Sequence, residues 1–150
     1  MAPKKKAASS KAPSIVAQPA PVVPVPAELW KDEPDDHDYP AAQNYLSLCV
    51  DAKKAEHLTD LLRQASIETF KAKDLLRSAR LDLLPLDDPS VKRDLAKVVR
   101  GQRLSPVLVV RGHALEGVPS IVADGYHRIC ASYHLSEDED IPCRIIDGDA

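Results

Sequence analysis

The spacing of hydrophobic positions changes several times along the chain, and each change marks an element. From Tyr39 onward, Tyr45, Leu46, Leu48 and Cys49 give an apolar side to a helix. From about Ala52 to Ala65, Leu58, Leu61 and Leu62 line a second helix, and the two form a hairpin that caps the main domain. Ile67-Glu68-Thr69-Phe70-Lys71 alternates with period two, as a half-buried strand does. A short helix is expected over Lys73 to Arg80, then an apolar loop over Leu81 to Leu86. Asp87-Asp88-Pro89 opens the next helix, because acidic residues and proline suit a first turn. It turns Val91, Leu95 and Val98 or Val99 inward, and Gly101 ends it after Arg100. Pro106 to Val110 is the strongest strand in the chain. Residues 111–118 form a glycine-containing hairpin or loop, and Ile121-Val122-Ala123 is a second covered strand. Tyr126, Ile129, Cys130 and Tyr133 then fall on one face of a helix. After the acidic loop from Ser136 to Asp140, Ile141 to Ile146 makes the last strand. The pattern predicts an α+β fold with a small mixed sheet.

Before Leu29 the pattern is different. Pro13, Pro19, Pro21, Pro24 and Pro26 exclude a helix or a central strand, so residues 1–28 are expected to be a disordered tail rich in Lys, Pro and Ala. Three regions follow: this tail, a helical extension over 29–66, and a main domain over 67–150. Trp30 is a candidate anchor of the extension onto the domain. The net charge of −3 gives no general attraction to nucleic acid. Lys4, Lys5, Lys6 and Lys11 are the exception; they could touch DNA, RNA or an acidic protein partner, but short charge runs are usually just solvated, and a solubilising tail is the expected role. No run is long and apolar enough to span a membrane, and no unbroken apolar segment follows the basic start, so a secretory signal is not expected. Three widely spaced cysteines without a Cys-x-x-Cys pair read as reduced thiols of a cytoplasmic protein.

Candidate chemistry concentrates in the run from Ser120 to Leu135. Asp124 is a good N-cap residue and Gly125 permits a tight entry to the helix. The start of a helix presents free N–H groups and a positive dipole end, which suit a phosphate. His127 and Arg128 in the first turn add donors and charge. The same residues also fit an ordinary strand–helix junction. His127, Cys130 and His134 share a helical flank with zinc-like ligand types, but no fourth ligand is indicated, so no metal is expected. The glycines are too few for a P-loop.

Several features in order carry a family likeness. They are the helix Ser90 to Arg100, the strand Ser105 to Val110, the run Asp124-Gly125-Tyr126-His127-Arg128, Ala131-Ser132-Tyr133, and the strand opening on Ile141-Pro142. From about Lys71 to Ile146 the chain resembles the ParB N-terminal/sulfiredoxin superfamily. ParB-like domains carry Gly-Glu-Arg-Arg-x-Arg-Ala at this turn; sulfiredoxins carry Gly-Gly-Cys-His-Arg, an Ala-x-Tyr helix and an Ile-Pro strand. The resemblance implies a ParB/sulfiredoxin-like fold and a nucleotide or phosphate site, with ATP or CTP and magnesium as the implied ligand. The positions it implies are Gly125, His127 and Arg128, with Tyr126 inside the motif and Asp124 as the nearest carboxylate for a metal-bound phosphate. A basic residue on the preceding helix, used by some members, would correspond to Lys92.

Departures from the family patterns limit what is implied. Tyr126 stands where sulfiredoxins place their reactive cysteine, and a phenol cannot perform the thiol step, so no sulfinic-acid reductase activity is expected. The acidic residue of the ParB motif is absent at Tyr126, and partition-complex function is not expected. The function expected is nucleotide or phosphate binding, with nucleotide hydrolysis or phosphoryl transfer as the reactions open to such a site. The alternative is a non-catalytic module that binds DNA or protein through the basic tail.

Overall fold

The computed structural model describes residues 28–150. The expectations for the tail, including its lysines as a nucleic-acid contact, lie outside the described residues. Five helices and a four-stranded mixed sheet form an α+β fold. In chain order these are α1 (Asp38–Leu46), α2 (Ala52–Gln64), β1 (Ile67–Lys71), α3 (Ala72–Ala79), α4 (Pro89–Val99), β2 (Val107–Arg111), β3 (Ile121–Asp124), α5 (Tyr126–Leu135) and β4 (Asp140–Asp147), with a short 3-10 turn at Ala114–Glu116. No helix among them is long and apolar enough to cross a membrane.

The sheet order is β1-β4-β2-β3. β1 runs antiparallel to β4, and β3 runs antiparallel to β2. The central pair, β2 and β4, is parallel, with Val107 opposite Cys143 and Val110 opposite Ile146. A parallel central pair covered on both faces explains the unbroken apolar run of β2. Its side chains alternate between two cores: Val107 and Val109 pack with Val122, Ile129, Ile141 and Cys143, against α3, α4 and α5. Leu108 and Val110 join Ala123 and the α1–α2 hairpin residues Tyr39, Ala42, Leu46, Ala55, Leu58 and Leu62. The hairpin is therefore one of three layers, since it covers a whole face of the sheet.

Local chemistry explains most boundaries. The Asp88 carboxylate accepts from the backbone N–H groups of Ser90 and Val91, Pro89 takes the first helical turn, and Gly101 follows α4 with φ +77°. Asp51 caps α2 by accepting from the Lys54 N–H at 2.8 Å. Trp30 is an anchor: Leu104 N–H donates to the Leu29 carbonyl, Lys31 N–H donates to the Leu104 carbonyl, and the indole Nε1 donates to Glu139 at 3.4 Å.

The inward face of α1 differs from the expectation. Tyr39, Ala42 and Leu46 are buried, whereas Tyr45, Leu48 and Cys49 are exposed. Helix α1 stops at Leu46, so Leu48 and Cys49 lie in the turns after it and no longer follow its period. On α4 the inward residue is Val98, and Val99 is exposed.

Candidate functional site

The start of α5 is built by a change of backbone direction at Gly125. Asp124 is the last residue of β3, and Gly125, with φ +115°, is the N-cap; no side chain caps the helix. This corrects the expectation that Asp124 caps α5. The carboxylate of Asp124 instead accepts from Arg128 Nη2 at 3.1 Å, one turn along the helix. Gly125 is required by packing as well as by its φ. A Cβ there would lie 2.3 Å from Val107 Cγ1 and 2.8 Å from Val107 Cβ.

The residues singled out in the sequence divide between two recesses. Asp124, Gly125, Tyr126 and His127 line a recess of about 310 Å³, whose far wall is Ala41, Tyr45 and Leu81. The Tyr126 hydroxyl donates to the Asp82 carbonyl at 2.6 Å, and the Tyr126 and His127 rings lie 5.6 Å apart. That hydrogen bond orients the phenol, and partial burial raises its pKa.

Arg128 turns to the other side of α5. Its Nε donates to the Ser105 carbonyl at 2.8 Å, and its Nη2 donates to the Pro106 carbonyl at 3.3 Å as well as to Asp124. Asp38 Oδ2 lies 3.6 Å from the same Nη2. The Ser105 hydroxyl donates to Asp38 and accepts from the Asp35 N–H at 2.9 Å. One guanidinium thus joins α1, the segment before β2, β3 and α5. Lys92 lies exposed on α4 and borders neither recess.

Arg128, Asp38 and Ser105 form part of the wall of a second cleft of about 500 Å³. Lys31, Asp35, His37, Lys97 and Arg103 also border it. Four side-chain cations face two carboxylates there. Around it the domain is acidic: the four tail lysines are the only charged residues before Glu28, so the chain's −3 becomes −7 for residues 28–150. Three of the cations are paired, with partners that range from exposed Glu28 to buried Asp94. Lys31 pairs with Asp35 at 2.8 Å, Lys97 with Asp94 at 3.7 Å and Arg103 with Glu28 at 3.0 Å. The exposed Arg103–Glu28 pair and the half-exposed Lys31–Asp35 pair contribute only about 0–1 kcal/mol each, so a polyanion can exchange with them.

Sequence reasoning missed Asp35, His37, Asp38, Ser105, Lys97 and Arg103. Asp38 and Ser105 are 67 residues apart, and only the packing of the hairpin brings them together. A weak signal existed: Asp38 is a charged residue at the start of an amphipathic helix, where a carboxylate is favoured by the dipole.

Donor atoms of Asp35, His37 and Asp38 lie within 4.8 Å of one another. Asp35 is already engaged by Lys31, and Asp38 by Ser105 and Arg128, so the trio is an ion-pair network and we assign it no metal. The zinc-like set on α5 does not converge: Cys130 is fully buried, and His134 Nε2 is hydrogen-bonded with the Leu84 carbonyl at 2.7 Å.

The thiols give a direct check on this geometry. Burial raises the pKa of Cys130, and pushes that of Cys143 up to about 12, whereas Cys49 is exposed. In the native protein at mildly alkaline pH, a thiol reagent should modify Cys49 quickly. Cys130 and Cys143 should react only on unfolding. Fast native labelling of three thiols would contradict the packing.

The chain matches no family model, no curated protein and no solved structure.

Proposed function

We propose that this domain binds a nucleotide or a related phosphorylated small molecule, with the phosphates in the cleft that Arg128 helps to wall. The single observation that carries the reading is the set of four cations, Lys31, Lys97, Arg103 and Arg128, around a 500 Å³ cleft on an otherwise acidic domain. That volume falls within the usual range of small-molecule sites. The resemblance to ParB N-terminal and sulfiredoxin domains supports the same ligand class, and ATP or CTP with magnesium is the first to try. No residue is assigned a chemical step, so nucleotide hydrolysis and phosphoryl transfer remain readings of the ligand class alone. The uncapped start of α5 favours a second location: there a phosphate would meet the first backbone N–H groups and His127 in the 310 Å³ recess.

Titration calorimetry with ATP, CTP and inorganic phosphate, with and without magnesium, tests both locations. Reversing Lys97 and Arg103 to Glu should lower affinity by about tenfold or more, since a charge-assisted hydrogen bond contributes about 1.5–3 kcal/mol. It should also flatten the salt dependence. His127→Ala should leave affinity unchanged if the cleft is the site. A loss only in His127→Ala would move the phosphate to the start of α5. Absence of binding by the wild type, together with salt-sensitive DNA binding lost on deleting residues 1–11, would support a non-catalytic nucleic-acid-binding module instead.

A further inference from the structure

We propose that Asp124 carries a proton at the joint between the α1–α2 hairpin and the sheet, where it and Asp38 meet one guanidinium, and that losing this proton loosens the α1 wall of both recesses. Two carboxyl groups converge on one guanidinium: Arg128 Nη2 lies 3.1 Å from Asp124 and 3.6 Å from Asp38, with the same nitrogen also donating to the Pro106 carbonyl. The Asp38 side chain is 3% exposed and that of Asp124 20%. With both ionised, the cluster holds a net negative charge on largely buried side chains, and burial of an uncompensated charge is costly. With one proton retained, the cluster is neutral.

The two carboxyl groups have different surroundings. Asp38 accepts from the Ser105 hydroxyl, and His37 Nε2 lies 3.4 Å from it. Asp124 has Arg128 as its donor, with Tyr126 and His127 from α5 and Tyr45 from α1 bordering the recess beside it. Lys31, Lys97 and Arg103 face the cleft side, and Lys31 is held by Asp35. Burial raises the pKa of Asp124, Arg128 opposes the rise, and Asp38 adds to it. An acid whose pKa is raised by folding binds its proton more tightly in the folded state. Its stabilisation is full below the unfolded value and is lost as pH rises through the folded one. The joint is therefore tightest with the proton on.

The consequence is mechanical. Helix α1 supplies Ala41 and Tyr45 to one recess, and Asp38 with the adjacent His37 to the other. Loosening its N-terminal contact with Ser105 and Arg128 changes both at once.

Carboxyl-carbon NMR of the full chain across the acid range, combined with amide hydrogen exchange of α1, tests the proposal without any ligand. Asp124 is expected to titrate above the range of an exposed aspartate, and Asp38→Asn should lower its midpoint. After correction for intrinsic exchange, α1 protection should fall as pH rises through that midpoint in the wild type and stay flat in Asp124→Asn. An Asp124 midpoint at or below that of an exposed aspartate overturns the proposal, and this reading needs only the wild type. So does a midpoint that Asp38→Asn leaves in place, or an α1 profile that is the same in wild type and Asp124→Asn.

Discussion

Replacing Arg128 with alanine should destabilise the fold by about 3–5 kcal/mol, the usual cost of removing one partner from a buried charge cluster. Its guanidinium bonds two carbonyls and one carboxylate and neighbours a second. Without it, Asp38 is left almost fully buried beside a second carboxyl group, and the Ser105 and Pro106 carbonyls lose their donor. Asp124→Asn should cost far less. It keeps the shape and removes one of two carboxyl groups that compete for a single cation. Urea denaturation of wild type, Arg128→Ala and Asp124→Asn gives the comparison. Equal midpoints for wild type and Arg128→Ala would mean that the cluster holds nothing together. The same expectation makes Arg128→Ala a poor probe of ligand binding, which is why Lys97 and Arg103 carry that test.

A side chain at Gly125 should be nearly as damaging. Gly125→Ala places an L residue at φ +115°, a conformation outside even the small left-handed region such residues tolerate, and drives its Cβ into Val107. Backbone strain of about 1–2 kcal/mol and overpacking of about 1–3 kcal/mol make a loss of roughly 2–5 kcal/mol. Gly125→Val should be worse, because branching at Cβ adds a second clash. The two causes separate in a double-mutant cycle. Val107→Ala removes the atom at 2.3 Å and leaves Val107 Cβ at 2.8 Å, so the double variant should recover part of the steric cost and none of the strain. Strict additivity would show that the contact with Val107 is not the source of the loss.

The sequence by itself determined the elements. Helix caps, prolines and glycines act on their own few residues, so Asp88-Pro89, Gly101 and the Gly125 turn were readable, and an apolar run of five can only be a covered strand or a helix segment. That β2 is covered on both faces came from the packing. The order β1-β4-β2-β3 and the promotion of the hairpin to a full layer came from tertiary packing, because strand partners depend on which faces meet and not on local propensity. The same holds for the site. The run Asp124 to Arg128 was found as one cluster, and its spacing was read correctly as a strand entering a helix. Side chains one residue apart on a helix point in different directions, so His127 faces one recess and Arg128 the other. What drew Arg128 away was Asp38 and two carbonyls supplied from distant parts of the chain. A buried guanidinium goes where its donors can all be satisfied, and only the folded chain decides where that is.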